Sequence, residues 1–171
     1  MRYRSVRHGT IAAPTAAVWP WLIQMGYDRG GWYAIDRLEK LFGVGRFRTG
    51  GSARKIEPEL QELAVGDTIA LSKNYVLNVA VCDPAETLYL VLPDGGKLAW
   101  SWRFDLTEHA NGTASTLTIT TTMAVVSKHC AGRAAMRLLY AGFHVGHGVM
   151  ERVQLRTLAK RVPRALGDHS S

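Results

Sequence analysis

The sequence predicts an α+β domain in which a curved antiparallel sheet wraps around one long C-terminal helix. The middle of the chain consists of consecutive segments with the period-two alternation of strands, separated by turn signals. The chain then ends in an amphipathic helical segment from Gly146 to Val162. Consecutive hairpins form an antiparallel sheet, and the apolar face of such a sheet must be covered by another layer. The C-terminal helix is the predicted cover.

The N-terminal part of the chain supplies one strand and two short helices. Tyr3–Ile11 alternates loosely between apolar and polar residues and is predicted as the first strand. A helix is predicted from Pro14 to Met25, because proline is favourable in a first turn and the following Gly26 is a common stop. Pro20 lies inside this helix and is expected to kink or split it. Trp32–Phe42 is predicted as the second short helix.

The middle of the chain supplies five more strands. They are predicted at Thr68–Ser72, Tyr75–Cys82, Thr87–Leu92, Leu98–Leu106 and Ser115–Met123. Pro93-Asp94-Gly95-Gly96 and Asn111-Gly112 are typical of hairpin turns. Alternation places Trp100, Trp102 and Phe104 on one face of their strand and Arg103 on the other.

The last helix carries two ionisable groups on an otherwise apolar face. At about 100° per residue, His147 and Glu151 fall on the apolar side, while Arg152, Arg156 and Lys160 fall on another side. We expect a carboxylate on a face that covers an apolar cavity to have its charged form disfavoured and its pKa raised.

The predicted boundaries of this helix come from glycine and proline. Gly146 and Gly148 indicate a loose start, with a separate short helix at 131–140, and Pro163 is expected to end the helix. The domain is therefore predicted to span residues 1–163, followed by a disordered tail at 164–171.

Composition excludes several classes of protein. The 171 residues suit one domain, and the net charge of +7 is spread along the chain without a helix-turn-helix, zinc-finger or RNA-binding signature. We therefore interpret the charge as a solvated basic surface and expect no nucleic-acid partner. Cys82 and Cys130 match no metal or redox spacing, and no secretory signal or membrane-spanning run is present. The sequence thus predicts a cytoplasmic protein without stable membrane insertion.

The order of elements and several short motifs resemble the START-like or SRPBCC superfamily, and most closely a bacterial polyketide cyclase/dehydrase-like subgroup of it. The motifs are Ile11-Ala-Ala-Pro14, Val18-Trp-Pro-Trp-Leu22, Gln24-Met-Gly26, Asp28-Arg-Gly-Gly-Trp-Tyr33, Asp36, Leu38-Glu39, Leu63-Ala-Val-Gly-Asp67, Gly146-His147 and Val149-Met-Glu-Arg152. This resemblance spans nearly the whole chain.

The resemblance implies the helix-grip fold around an apolar cavity that takes lipids, polyketides or other hydrophobic small molecules, with no cofactor. Some members of the superfamily catalyse the cyclisation or dehydration of polyketides. This sequence departs from the subgroup between Gly43 and Lys55, a segment that often borders the pocket mouth, so the substrate cannot be carried over.

Glu151 is the first candidate for a catalytic residue. On a helix that covers a cavity, a carboxyl group with a raised pKa can act as a general acid or base. The alternative is a structural pair of Glu151 with Arg29, Arg103 or His147, because buried carboxylates are normally paired.

His147 and Tyr33 are the other two catalytic candidates. His147 lies four residues before Glu151, so the two side chains can meet and form a proton relay. Tyr33 could donate a proton to a substrate carbonyl, with Asp36 orienting it; alternatively, Asp36 holds Arg29 or the Gly30-Gly31 turn. His144, His147 and Glu151 could together hold a metal, but we expect none, since no further ligands accompany them.

The predicted substrate contacts are aromatic and flexible apolar side chains with two polar ones. They are Tyr75, Trp100, Trp102, Phe104, Met123, Met150, Arg29 and Asp36. Flat aromatic walls suit an unsaturated ligand, although ordinary core filling would use the same residues.

The leading hypothesis is a cofactor-free cyclase or dehydratase that acts on a polyketide-like substrate in specialised metabolism. Proton transfer by the three catalytic candidates would assist the reaction, or the shape of the pocket alone would drive ring closure. The main alternative is a non-catalytic protein that binds or transports a lipid or another hydrophobic ligand. A regulatory partner-binding domain is a third reading, and the assembly is left open, with a homodimer as one option.

Overall fold

The computed structural model describes residues 2–36, 51–93, 98–125 and 133–168 of the chain. Within these ranges the chain forms six strands and two α-helices. In order they are β1 (Arg2–Ile11), α1 (Thr15–Ile23), β2 (Thr68–Ser72), β3 (Tyr75–Asp83), β4 (Thr87–Val91), β5 (Leu98–Glu108), β6 (Ser115–Val125) and α2 (Arg133–Asp168), with a 3₁₀ turn at Pro58–Leu60.

The six strands form one curved antiparallel sheet in the order β1-β6-β5-β4-β3-β2. Because β1 returns to pair with the last strand, Ser5 lies opposite Thr121, which in turn lies opposite Trp102 on β5. The ladder shifts register between Val79 and Val81 on β3, and such irregularities increase the local twist and bend of a strand. The predicted α+β architecture is confirmed.

The inward faces of β5 and β6 are as predicted. Trp102, Phe104 and Ile119 are buried, whereas the outward Arg103 is half exposed and pairs with Asp105. The face on which each residue lies could be predicted from its immediate neighbours alone, because successive residues of a strand point to opposite faces of the sheet.

The prediction that Tyr75 faces the interior is wrong. Its side chain is 54% exposed, although Leu77 and Val79, which share its parity on β3, are buried. Tyr75 is the first residue of β3, immediately after the turn from β2, so it projects past the covered part of the sheet.

The C-terminal helix is longer than predicted. α2 is a single helix of 36 residues that begins at Arg133, contains Gly146 and Gly148, and continues through Pro163 to Asp168. The predicted start at Gly146, the separate helix before it and the stop at Pro163 are therefore wrong. Val162 is buried and Ala165 packs against the core, so packing on both sides of the proline compensates for the one backbone hydrogen bond that it cannot make.

The first of the two short helices is confirmed, whereas the second does not begin at Trp32 as predicted, because the helical assignment starts only at Asp36. α1 contains Pro20 without interruption. Residues 32–35 are irregular, and Tyr33 has a positive φ of 57°, which is incompatible with a right-handed helix. The remainder of this prediction, 37–42, lies outside the described residues, as do the turn at 94–97 and most of the 43–55 segment.

α2 lies across the sheet against β1 and also contacts α1. Leu155 and Leu158 on its inner side join the main core. In the described ranges, neither α-helix contains an apolar stretch of membrane-spanning length.

Candidate functional site

A carboxylate is buried where α2 crosses the edge of the sheet. Glu151 is only 1% exposed, and its partners come from two adjacent strands and from its own helix. Ser5 and Arg7 belong to β1, and Thr121 belongs to β6. The β1–β6 register places the two hydroxyl groups opposite each other under the helix. The site is therefore produced by a pairing between residues more than a hundred positions apart in the chain.

Both carboxylate oxygens of Glu151 are engaged. Arg7 Nε donates to Oε2 at 2.8 Å, and Thr121 Oγ1 donates to Oε1 at 2.6 Å. Ser5 Oγ lies 3.3 Å from Oε2, and His147 Nδ1 lies 3.2 Å from Oε1. The contact between His147 and Glu151 is thus as predicted. Arg7 was not among the predicted partners of this carboxylate.

The predicted rise in the pKa of Glu151 is wrong. Burial by itself raises the pKa of this carboxyl group, but the His147 imidazole and the hydrogen bonds from Thr121 and Arg7 outweigh it and hold the pKa below the ordinary value of 4.5. Glu151 is therefore an ionised carboxylate near neutral pH. It can accept hydrogen bonds and orient a neighbouring group, but it has no proton to give.

His147 lies between the carboxylate and an aromatic row. Its ring centroid is 5.5 Å from that of Trp102 and 6.1 Å from that of Trp100. Trp32 packs on Trp102 at 5.1 Å, and Phe104 continues the row on β5. The structure thus brings together one catalytic candidate, its orienting carboxylate and three of the predicted aromatic contacts. Trp32, which was not among the predicted substrate contacts, belongs to the same cluster.

Three buried polar atoms near this cluster make no hydrogen bond in the part of the chain that the structure describes. They are Trp100 Nε1, Trp102 Nε1 and the Oε1 atom of Gln154, which lies one turn after Glu151 on α2. A buried donor or acceptor without a partner costs about 1–3 kcal/mol. An oxygen-bearing ligand that reached these atoms would pair with groups that the free protein leaves unsatisfied.

Tyr33 lies elsewhere in the interior. Its hydroxyl oxygen accepts a hydrogen bond from Gln24 Nε2 at 2.6 Å, and the Arg161 guanidinium lies 5.7 Å from its ring centroid. Burial raises the pKa of the Tyr33 hydroxyl far above its ordinary value. Arg161 is ten residues beyond Glu151, or about 15 Å along the helix. The structure therefore does not bring Tyr33 to the Glu151–His147 pair, and its catalytic role stays a prediction.

Arg29 and Asp36 hold backbone segments in place. Arg29 donates to the carbonyl oxygens of Ile23 and Leu60 at 2.9 and 3.1 Å. Asp36 accepts hydrogen bonds from the backbone N–H and the hydroxyl of Ser52. The predicted partner of Asp36 was Arg29 or the Gly30-Gly31 turn, and the observed partner is Ser52.

The two methionines predicted to contact substrate differ in position. Met123 is buried on the inner face of β6, in register with Trp100, whereas Met150 is half-buried beside Glu151 on α2. Met123 therefore belongs to the same row of the sheet as the aromatic cluster.

The predicted chamber between sheet and helix stays a prediction. The inward side chains from Trp100 to Leu106 on β5 and from Leu117 to Met123 on β6 retain at most 8% of their accessible surface, so this face is covered from solvent. An open trough of about 630 Å³ lies instead against the sheet end that Trp100 and Met123 share. Most of its lining residues alternate along their strands with the inward ones and thus lie on the other face of the sheet, where Ser101 is nevertheless buried; these are Arg4, Tyr89, Val91, Ala99, Ser101, Thr122 and Ala124.

His144, the remaining member of the His144, His147 and Glu151 trio, contacts a different residue. Its Nδ1 lies 3.1 Å from the Tyr3 hydroxyl. Across the described ranges, His, Cys, Asp and Glu side chains form no group of three that could hold a metal ion.

Comparison with known proteins places the chain in a known fold. No family model and no curated protein matches the sequence. Among solved structures, a Staphylococcus aureus protein of unknown function is 11% identical with a TM-score of 0.60, over 98% of this chain and 97% of that chain. The di-domain aromatase/cyclase StfQ of the steffimycin biosynthetic pathway is 9% identical with a TM-score of 0.57, over 98% of this chain and 52% of that chain.

A third similar structure is the Zhui aromatase/cyclase from a Streptomyces species. It is 13% identical with a TM-score of 0.52, over 97% of this chain and 96% of that chain. These similarities establish the fold. The chain has the helix-grip fold, as its resemblance to the SRPBCC superfamily implies.

Sequence reasoning missed the strand half of the Glu151 site. Ser5, Arg7 and Thr121 are polar residues at inward positions of two strands, where apolar residues are expected. Inward polar residues on paired strands indicate a buried polar partner, because such groups must be hydrogen-bonded. The sequence alone shows these polar residues, but it does not show that they share one partner. That inference requires knowing that β1 pairs with β6.

Proposed function

We propose that the protein binds an oxygen-bearing apolar molecule of polyketide type between the sheet and α2, and catalyses its cyclisation or dehydration without a cofactor. The observation that carries this proposal is the 3.2 Å contact between His147 Nδ1 and the buried, ionised Glu151, directly beside Trp100 and Trp102. A proton-carrying group, an orienting carboxylate and aromatic surface for an unsaturated substrate thus occur at one place.

His147 is the residue that moves protons in this proposal. Nδ1 lies 3.2 Å from Glu151 Oε1, so in this proposal the opposite ring nitrogen, Nε2, meets the substrate. For ring closure, Nε2 removes a proton from the carbon next to a carbonyl, that carbon attacks a second carbonyl, and the proton passes to the new alkoxide oxygen. Dehydration then removes one further carbon-bound proton and the hydroxyl group together as water.

Two of the similar structures support the choice of reaction. StfQ and Zhui are both described as aromatase/cyclases. The unpaired indole N–H groups of Trp100 and Trp102 beside His147, and the unpaired Gln154 Oε1 farther along α2, suit a substrate with several oxygen atoms. Burial of the site suits a reaction that must exclude water.

The test begins with native mass spectrometry of protein purified from its own host, which identifies any molecule that co-purifies. Turnover of that molecule or its uncyclised precursor is then measured for the wild type, His147→Gln and the matched control His144→Gln. We expect His147→Gln to lose at least about 100-fold in kcat, as removal of a general acid–base group does, with ligand binding retained. His144, three residues earlier on α2 and exposed, should be replaceable without loss. Equal turnover in both variants would contradict the role of His147.

A carrier without catalytic activity is the second candidate. Both carboxylate oxygens of Glu151 already have hydrogen-bond partners, which is also the arrangement expected of an ion pair with a purely structural role. This observation favours the carrier. Recovery of a chemically unchanged ligand after prolonged incubation with the wild type would support this second candidate.

A further inference from the structure

We propose that the solvent-facing side of α2 docks on the anionic surface of a lipid bilayer. The contact consists of Val145, Val149, Arg152, Arg156 and Lys160, which we call the outer stripe. All five residues are exposed, and their spacing of three or four residues aligns them along one side of the helix for about 22 Å. A straight row of this length on a rigid helix can contact a flat surface at all its positions simultaneously.

The charge of α2 is unbalanced on this side. The helix contains seven Lys and Arg residues against Glu151 and Asp168, and Glu151 is buried on the opposite side with Arg7. Arg152, Arg156 and Lys160 have no carboxylate partner among the ion pairs of the described residues. Like charges one turn apart repel each other and weaken a helix, and an anionic surface would replace this repulsion by attraction.

Two valines at the start of the outer stripe favour a bilayer over a nucleic acid. Val145 is 66% exposed and Val149 is 41% exposed. Gly142 and Gly146 beside them have no atoms close to the position of a side chain, so the surface around the valines is open. A bilayer interface accepts apolar side chains at the acyl boundary and cations at the phosphates, whereas a nucleic-acid backbone offers nothing to a valine. This inference does not depend on the ligand or reaction of the interior.

The test is co-sedimentation of the full-length protein with vesicles of phosphatidylcholine alone or mixed with phosphatidylglycerol. We expect binding to the mixed vesicles only, and binding should weaken as salt is raised. The triple variant Arg152→Gln, Arg156→Gln, Lys160→Gln should bind about 100-fold more weakly, at about fivefold for each cation removed. The matched control is Arg4→Gln, Arg54→Gln, Lys73→Gln, which removes three exposed cations elsewhere and should retain most of the binding.

A second variant separates a bilayer from other polyanions. Val145→Gln with Val149→Gln preserves the charge, and it should weaken vesicle binding severalfold without changing retention on duplex DNA. Circular dichroism and the thermal midpoint verify that each variant is folded. The proposal is overturned if the wild type ignores phosphatidylglycerol vesicles, or if the control triple loses as much binding as the stripe triple. It is also overturned if the protein binds duplex DNA more strongly than the vesicles, and this binding depends on the three outer-stripe cations but does not change when the two valines are replaced.

Discussion

At Glu151, the neighbouring polar groups outweigh the effect of burial on a carboxyl group. Desolvation disfavours the charge, yet Arg7, Thr121 and the His147 imidazole favour it more. Such a carboxylate stabilises the fold by joining α2 to β1 and β6. It also contacts His147 at 3.2 Å, so in the proposed mechanism the same side chain would orient the residue that moves protons.

Stability should depend on the ionisation of Glu151. A carboxyl group whose pKa is lower in the folded state contributes stability above its unfolded value, and this contribution is lost as the pH falls through the folded value. We therefore expect the free energy of unfolding to decrease as the pH falls below about 4.5, the ordinary value of the group. Glu151→Gln should be less stable by about 3 kcal/mol at neutral pH, because it leaves Arg7 without its carboxylate partner.

Urea unfolding at neutral pH and through the acid range measures both effects. The dependence on pH below 4.5 should be shallower for Glu151→Gln than for the wild type. The exposed Glu62→Gln is the control and should parallel the wild type. Wild-type and Glu151→Gln curves that are parallel throughout would show that Glu151 is not held in the ionised form by its neighbours.

Among the secondary-structure elements, α2 contains two glycines, Gly146 and Gly148, whose surroundings differ. Gly148 is buried, and a methyl group at its position would contact the Arg7 guanidinium that binds Glu151. Gly146, half a turn away, has open space around it. Two glycines with equal intrinsic helix propensity therefore occupy different environments, and only one of them permits the close approach of β1.

Replacement by alanine should stabilise the protein at Gly146 but not at Gly148. Gly146→Ala should stabilise the protein by about 0.5–1 kcal/mol, the difference in helix propensity between glycine and alanine. Gly148→Ala should fail to give this gain, because the new methyl group displaces Arg7 from Glu151. In an Arg7→Gln background the gain at Gly148 should return. Thermal and urea unfolding of the four variants measure this, and equal stabilisation by Gly146→Ala and Gly148→Ala would contradict the contact.

The strands were predictable from sequence and the limits of α2 were not, for a physical reason. Alternation on β5 and β6 is a local property, so Trp102 and Phe104 could be assigned to the inner face directly. The start and stop rules for helices are also local, but at Gly148 and Pro163 they are overridden by packing against distant strands. The polar partners of Glu151 depend on the β1–β6 pairing, which no local pattern contains.

For the molecule as a whole, α2 is attached to the rest of the fold by polar contacts at several points along its length, among them His144 with Tyr3 and Gln154 with the Trp32 carbonyl. Near its middle, Glu151 binds Arg7 of β1 and Thr121 of β6. Further along, Arg161 donates to the carbonyl oxygens of Ser52 and Ala53 and lies over Tyr33. The aromatic cluster lies beside the Glu151 contact, so a ligand there would lie between the sheet and a part of the helix that is held to β1 and β6.

Tryptophan indole NMR with the co-purified ligand tests most directly whether the aromatic cluster under His147 is the binding face. We expect the indole signals of Trp32, Trp102 and Trp100 to shift on ligand addition, while that of Trp19 on α1 does not. Unchanged Trp32 and Trp102 signals, combined with backbone shifts at the outward Ser101 and Thr122, would contradict it. That result would place the ligand in the open trough on the other side of the sheet.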